Sequence, residues 1–456
     1  MTTRSRFTRK APLAASLLIH IGLILYAHHV DTHSHKFGGL KYTDVDWRVV
    51  TDGAGHMFRL IPGRTAQGWL TKYLSLNIGD PYERATFRYT PLLPLILSPS
   101  LIHPLLGKLT LSLLSLLVPY FLLEGPNPAG FWTTHALWTL NPFVLNITTR
   151  GSPEAIIVLL VVITLYYLRK ADEPGTVHRG RYESLAAVAW AASVSWKIYP
   201  VIYGVAIWSS LSARHGLFGR SVWRFGLVSL ATFVLLNGAL WSIWGEPFLH
   251  HTFLYHLSRQ DHRHNFSPYF YPIYLGLFSA RDASSTSVTP LTHLAHTAIR
   301  HPLTSFVPQF GLVALAGGLL ARRAGVEFAV FIQTAIFVVF NKVCTSQYYT
   351  WFIPLLAPII PRPRLSPGRT TLLIGAWVAA QAAWLYTAFR LEFLGESLYL
   401  GLWAASIVLL FTGTWIITRL LDAYEPSAVQ NVISPRRSTF FGPTIEPRGG
   451  VKLKGE

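Results

Sequence analysis

Long apolar runs separated by short polar segments set the pattern of this chain. The clearest runs cover roughly 11–29, 153–168, 225–244, 326–340, 370–389 and 398–418. A helix that crosses a bilayer needs about 20 such residues, fewer where protein surrounds it. The first run is too long for a cleaved leader, lacks a small-residue cleavage site and is followed by further spans, so it reads as a retained helix. Between the clear runs the pattern predicts two spans over 90–105 and 109–124, hinged at Lys108. Stretch 131–146 is short and holds Asn141-Pro142, which predicts a re-entrant segment or a broken pair of half-helices; such backbone must be buried in protein or face water. Stretch 183–211 is interrupted at "WKIYP" (196–200) and reads as an up-and-down pair turning near Lys197. Residues 305–321, 326–341 and 350–361 complete the crossings before the last two helices. The expected fold is an all-α polytopic membrane protein with about 10–13 membrane segments. Its two large polar loops, 31–88 and 246–303, share one side. Residues 1–10 and a tail over 422–456, rich in Pro, Ser, Gly and charge and expected to be disordered, lie on the other, with 11–421 as the membrane domain.

Composition supports the bilayer: 51% of residues are hydrophobic and 13% charged, against about 25% charged in soluble domains. The net charge of +18 is not that of a nucleic-acid binder. Its basic residues are distributed in clusters beside apolar runs (Arg4 to Lys10, Lys108, Arg169 to Arg181, Arg214 to Arg224, Arg322 and Arg323, Arg362 to Arg369, and the tail), as cytoplasmic loops require. Four cations fall outside these clusters and outside the two large loops: Arg150, Lys197, Lys342 and Arg390. Each sits where a helix meets the loop-bearing side, where it either snorkels or marks function; together they suit an anionic, lipid-linked substrate. The single cysteine, Cys344, excludes an internal disulfide.

Five stretches carry candidate chemistry. In "KYTDVDWRVVTD" (41–52), Asp44 and Asp46 open the first loop directly after the first helix. A carboxylate pair at this spacing either coordinates a divalent ion, or lets one carboxylate deprotonate a hydroxyl while the other positions it. Helix N-termini also favour Asp for purely local reasons, and Asp52 extends the same face. In "PYERATFRYTPLLP" (81–94), Arg88 either anchors the interface with its aromatic neighbours or returns to the aspartates. In "TRGSPEA" (149–155), Ser152, Pro153 and Glu154 have the order of a helix cap, which leaves Arg150 free to face a site. "RQDHRHNFSPYFYPIY" (259–274) lies in a loop holding eight of the 18 histidines, but not in the close pairs a structural zinc site uses; Arg263, His264 and Asn265 are its candidate substrate contacts. Asn265-Phe266-Ser267 is also a glycosylation sequon, with Pro268 directly behind it. In "NKVCTSQYYTWF" (341–352), Asn341, Lys342, Ser346 and Gln347 form a polar knot between apolar helices, costly there unless satisfied. It either bonds helices together or lines a pocket for sugar or phosphate.

These stretches, with "WKIYP", in this order resemble the PIG-M family of the GT-C glycosyltransferases over about residues 12–420. The resemblance implies a GT-C helix bundle in the endoplasmic-reticulum membrane with a lumenal active site. It also implies transfer of the first mannose, in α-1,4 linkage, from dolichyl phosphate mannose to glucosaminyl-(acyl)phosphatidylinositol, alongside a small accessory membrane subunit of the PIG-X type. The family's D-x-D falls on Asp44 and Asp46. Two departures stand out: Pro153, where relatives carry Ala or Ser, and extra sequence over roughly 56–78.

A β-linked donor and an α-linked product require inversion, hence one displacement with one base and no covalent intermediate. Asp44 is the expected base and Asp46 its positioning partner. Arg88, Arg150, Lys197, Arg263 and Lys342 are candidates for the leaving phosphate, with Glu154, His264, Asn265 and Gln347 as further substrate contacts. No metal is required, since the donor carries one phosphate and cations abound; a divalent ion at Asp44/Asp46 is the alternative. The rival readings are another dolichol-phosphate-mannose-dependent transferase acting at a later step, and a transporter. A transporter often shows internal repeats, and none is present here.

Overall fold

The computed structural model describes residues 3–124, 128–259, 261–279, 306–360 and 363–425. Its described residues form helices and short turns with two isolated bridges, Thr65 to Gly79 and Pro363 to Tyr424. Among the described residues five helices are long and apolar enough to cross a membrane: Lys10–Thr32, Pro104–Leu123, Arg220–Trp244, Pro367–Glu392 and Tyr399–Ala423. The chain is a multi-pass membrane protein. Most of the tail, residues 426–456, and loop residues 280–305 lie outside the described residues.

Side-chain bonds fix the direction of each pass. The first helix ends at Thr32, and the carboxylate of Asp31 in its last turn accepts the N–H groups of Tyr42 (2.8 Å) and Thr43 (3.1 Å). Lys108 reaches Thr43 there (2.5 Å), and the His103 ring lies 5.9 Å from His28. Helix Pro104–Ser115 therefore starts at the Asp44 end, and its continuation Val118–Leu123 reaches the opposite end, where Arg169 binds the Phe121 carbonyl (2.6 Å). This corrects the two expected spans hinged at Lys108. Pro91, Pro94 and Pro99 break 90–103 into Leu92–Ile96 and Ser98–Leu101, which are too short to cross. Residues 131–149 then make the return crossing in two pieces: Ser16 in mid-helix bonds Thr139 (2.6 Å), and Thr149 meets Tyr42 (2.8 Å). Asn141 starts the second piece by accepting the Phe143 N–H (2.9 Å), with Pro142 at the first helical position, where its missing N–H costs nothing. The broken pair is thus present but runs through rather than re-entering.

Glu154–Asp172, Arg179–Trp196, Tyr203–His215 and Arg220–Trp244 follow with alternating direction, turning at Lys197 as expected. Glu154–Asp172 and Val326–Val339 are buried along most of their length and form the core. The outer helices present Leu227, Leu235, Leu372, Phe389 and Phe411 outward, the surface that acyl chains cover. Polar groups inside the bundle find partners across helices: Tyr203 with Thr334 (2.8 Å), Gln333 with the Ile202 carbonyl (2.8 Å) and Asn237 with Ser195 (2.7 Å). At the basic end Arg224 pairs with Glu183, Arg214 with Asp172, and Arg169 with Glu327 (3.4 Å). The extra stretch within 56–78 packs on the far end of helix Arg220–Trp244, through Gly68 N–H to the Ile243 carbonyl (2.9 Å) and Thr71 to the same oxygen (2.8 Å).

Candidate functional site

Asp44 precedes helix Val45–Met57 in extended conformation but makes no side-chain cap bond, so its carboxylate stays available. Its N–H donates to the Arg150 carbonyl (3.0 Å), and its Oδ2 faces the Arg150 guanidinium at 3.8 Å. The contact depends on Trp47. Its ring packs on Gly151, whose φ of +92° suits glycine and where a Cβ would stand 2.7 Å from the indole. Sequence thus joins the loop after the first helix to the turn before Glu154.

Asp46 lies one step further in. Its Oδ2 accepts from Gln347 Nε2 (3.3 Å), and the Tyr89 hydroxyl also bonds it. Burial, then repulsion from Asp44, raises its pKa; the Tyr89 and Gln347 bonds and the charge of Lys197 oppose the rise. Glu154 is buried and bonds Lys197 Nζ (2.8 Å) and Trp351 Nε1 (2.6 Å). Lys197 in turn lies over the Trp351 and Tyr348 rings, 4.7 and 5.2 Å from their centres, and Trp351 stacks on Tyr199 at 4.0 Å. The expected cap at 152–154 is not formed: Pro153 takes the cap position, and the Ser152 hydroxyl is buried without a bond.

The two loop motifs meet along one seam. Asn265 is fully engaged by backbone: its amide donates to the Asp261 (3.0 Å) and Lys342 (3.1 Å) carbonyls, and its Oδ1 accepts from Ser267 (3.0 Å) and Cys344 (2.9 Å). It is a joint between loops, with no capacity left for a substrate or glycan. Beside it His264, at φ +52°, bonds Glu392 through both Nδ1 (2.6 Å) and its N–H (3.1 Å). That bond raises the pKa of the exposed His264, and the Asp44 charge adds to the rise. Lys342 is buried, which lowers its pKa, and no ion pair to it appears among the described residues.

Other candidates lie elsewhere. Arg88 packs on the Tyr255 ring (4.4 Å) and bonds the Phe87 carbonyl (2.8 Å); its neighbour Tyr89 is the residue that returns to Asp46. Arg263 is exposed, Asp52 pairs with Arg84 (2.9 Å) and Arg390 with Glu396. Sequence reasoning passed over Arg259, which is clamped by Asp261 (2.5 Å) and interacts electrostatically with Tyr89 and Tyr348. The signal was an Arg-x-Asp pair inside the motif already singled out. The loop histidines mostly pack: His251 stacks on Tyr82 at 5.2 Å, and burial pushes both His251 and His256 down to about 4. No cluster of three or more His, Cys, Asp or Glu suited to a metal ion occurs among the described residues.

Asp44, Asp46, Tyr89, Arg150, Glu154, Lys197, Arg259, His264 and Gln347 thus share one end of the bundle, three carboxylates among several cations. A group there that accepts a proton, with fixed positive charge nearby for a departing anion, fits a displacement reaction. A family model described as "Mannosyltransferase (PIG-M)" matches residues 147–421. A "GPI mannosyltransferase 1" of Gibberella zeae is 37% identical, over 91% of this chain and 95% of the relative. "GPI alpha-1,4-mannosyltransferase I, catalytic subunit" of Danio rerio is 37% identical over 85% and 91%. A Dictyostelium discoideum "GPI mannosyltransferase 1" is 31% identical over 94% of both.

Proposed function

The chain belongs to the PIG-M mannosyltransferase family, and on that premise we propose that it transfers the first mannose, α-1,4, from dolichyl phosphate mannose to glucosaminyl-(acyl)phosphatidylinositol. The names of the relatives speak for this step over a later mannosyl transfer or a transport function. The reaction runs at the lumenal face of the endoplasmic reticulum. The zebrafish relative is named as a catalytic subunit, and this chain likewise works with an accessory subunit, of the PIG-X type.

Asp44 accepts the proton of the glucosamine 4-hydroxyl as that oxygen attacks the anomeric carbon from the face opposite the phosphate. The C–O bond to dolichyl phosphate breaks in the same step, and the bonding pair leaves with the phosphate. Asp46, held by Gln347 and Tyr89, orients the acceptor. Arg150, Lys197, Arg259 and Lys342 meet the charge that develops on the leaving phosphate, which fixed cations stabilise more in the transition state than in the ground state. The carboxylates suit this work better than metal holding: Asp46 already takes N–H and O–H donors, and Asp44 faces a guanidinium. The observation that carries the reading is the Asp44 to Arg150 contact, because it unites the D-x-D segment with the Glu154 segment, as the Gln347 to Asp46 bond does with the Gln347 segment.

The test is mannose transfer from labelled dolichyl phosphate mannose to glucosaminyl-phosphatidylinositol by purified protein, with and without chelator. Asp44→Ala should insert and melt as the parent does, with transfer lost by about two to four orders of magnitude, the usual contribution of a general base. Parental turnover by that variant would remove the assignment.

A further inference from the structure

A cavity adjoins the D-x-D segment. It measures about 140 Å³, and His28, Asp31, Thr43, Arg48 and Lys108 line it together with the apolar Trp47, Pro104 and Leu105. A single water occupies only about 10–15 Å³ on this measure, so the space admits a chemical group rather than one solvent molecule. None of the residues that hold Asp46 (Tyr89, Gln347, Lys197) lines it.

Its electrostatics point to a monoanion. Lys108 is 3% exposed, yet its ammonium makes one side-chain bond, to Thr43 Oγ1 (2.5 Å). An ammonium has three donors. The nearby carboxylate, Asp31, is occupied by the Tyr42 and Thr43 N–H groups and the Thr43 hydroxyl. Arg48 is exposed on the same wall, on the helix that Asp44 starts. Two cations against one carboxylate leave the lining with one unbalanced positive charge, with the Lys108 ammonium also over the Trp47 ring at 6.0 Å.

An inverting displacement separates its two lipids: the leaving phosphate and the attacking hydroxyl lie on opposite faces of the sugar. In the function proposed above Arg150, Lys197 and Arg259 serve the donor phosphate, and none of them lines this cavity. The acceptor also carries a phosphate, a diester monoanion set back from its 4-hydroxyl by glucosamine and inositol. We propose that the Lys108–Arg48 cavity binds the phosphodiester of the glycolipid acceptor, with the Lys108–Thr43 bond setting the register that brings the sugar hydroxyl to the neighbouring Asp44. The inference rests on the function proposed above.

The experiment measures KM for each substrate separately in the full-length protein with its accessory subunit. Arg48→Gln and Lys108→Met should each raise KM for glucosaminyl-phosphatidylinositol about tenfold, as expected for one lost charge-assisted contact, with KM for dolichyl phosphate mannose unchanged. Glucosaminyl-inositol, which lacks the phosphate, should react equally with parent and variants. Arg48 is exposed, so Arg48→Gln decides the matter where Lys108→Met fails to fold. An unchanged acceptor KM in Arg48→Gln, a rise in donor KM instead, or an equal loss with the phosphate-free acceptor would overturn the assignment. Transfer by the parent protein is the internal control: its absence would sink the function itself, whereas its presence with normal variants sinks only the phosphate site.

Discussion

Asp46 is buried beside Asp44, and both circumstances disfavour its ionised form, whereas the Tyr89 hydroxyl, the Gln347 amide and Lys197 favour it. The first two prevail, so its pKa is raised. If Asp46 orients the acceptor as a carboxylate, the rate falls when pH drops through that raised pKa, so the acid limb lies above that of an ordinary aspartate. Gln347→Leu removes a donor that binds only the charged form better. It should move the acid limb of kcat/KM upward by about one pH unit, since a hydrogen bond to a charged group contributes about 1.5–3 kcal/mol and one pH unit corresponds to about 1.4 kcal/mol. Tyr89→Phe should act in the same direction. A pH profile that stays put in both variants would show that Asp46 does not titrate in the working range. Among the cations the structure separates kinds that the sequence cannot. Arg150 faces Asp44, and Lys197 is shared between Glu154 and two aromatic rings, whereas Arg390 is spent on Glu396.

The seam between 261–269 and 341–347 holds the wall of the site in place. Asn265 closes it with four bonds to backbone groups from Asp261, Ser267, Lys342 and Cys344, and Phe266 adds its own N–H to the Cys344 carbonyl (2.8 Å). Asn265→Ala leaves those groups buried without partners, each costing about 1–3 kcal/mol less whatever water can enter. The variant should melt well below the parent in detergent, and mannose transfer should fall with it. A parental melting curve would show that the seam is not held by this amide. The same burial predicts that glycosidase treatment leaves the mobility of the parent protein unchanged despite the sequon. The motifs bordering this seam were visible in the sequence as polar residues where apolar ones were expected. Their pairing was not, because the two bonds from the Asn265 amide to the distant Lys342 and Cys344 backbone leave no periodic trace. Arg88 and Tyr89 illustrate the same limit: adjacent side chains in a loop point to different sides, and composition favours the charged one. The aspartate pair was legible as two carboxylates directly after a membrane helix, and the structure sets Asp44 beside Arg150 and Asp46 beside Gln347.

The order of crossings is where the hydrophobic pattern misled most, and the cause is local. Segment 90–105 is apolar enough to resemble a span, but Pro91, Pro94 and Pro99 prevent a continuous helix, and Lys108 was assigned by charge to the basic side. In the structure Lys108 reaches Thr43, next to Asp44, and the exchange of one false span for a true crossing at 131–149 preserves every later orientation. Cysteine accessibility tests this directly. Cys344 is 4% exposed, so the parent should resist a membrane-impermeant maleimide and serve as its own background. Lys41→Cys, in the exposed loop beside Asp44, and Arg181→Cys, at the basic end, report the two faces. Ile102 is 83% exposed and lies at the start of helix Pro104–Ser115. In sealed microsomes Arg181→Cys should label at once, while Lys41→Cys and Ile102→Cys should both wait for permeabilisation. Labelling of Ile102→Cys together with Arg181→Cys would restore the two-span reading, move Lys108 away from Asp44, and remove the cavity proposed for the acceptor phosphate.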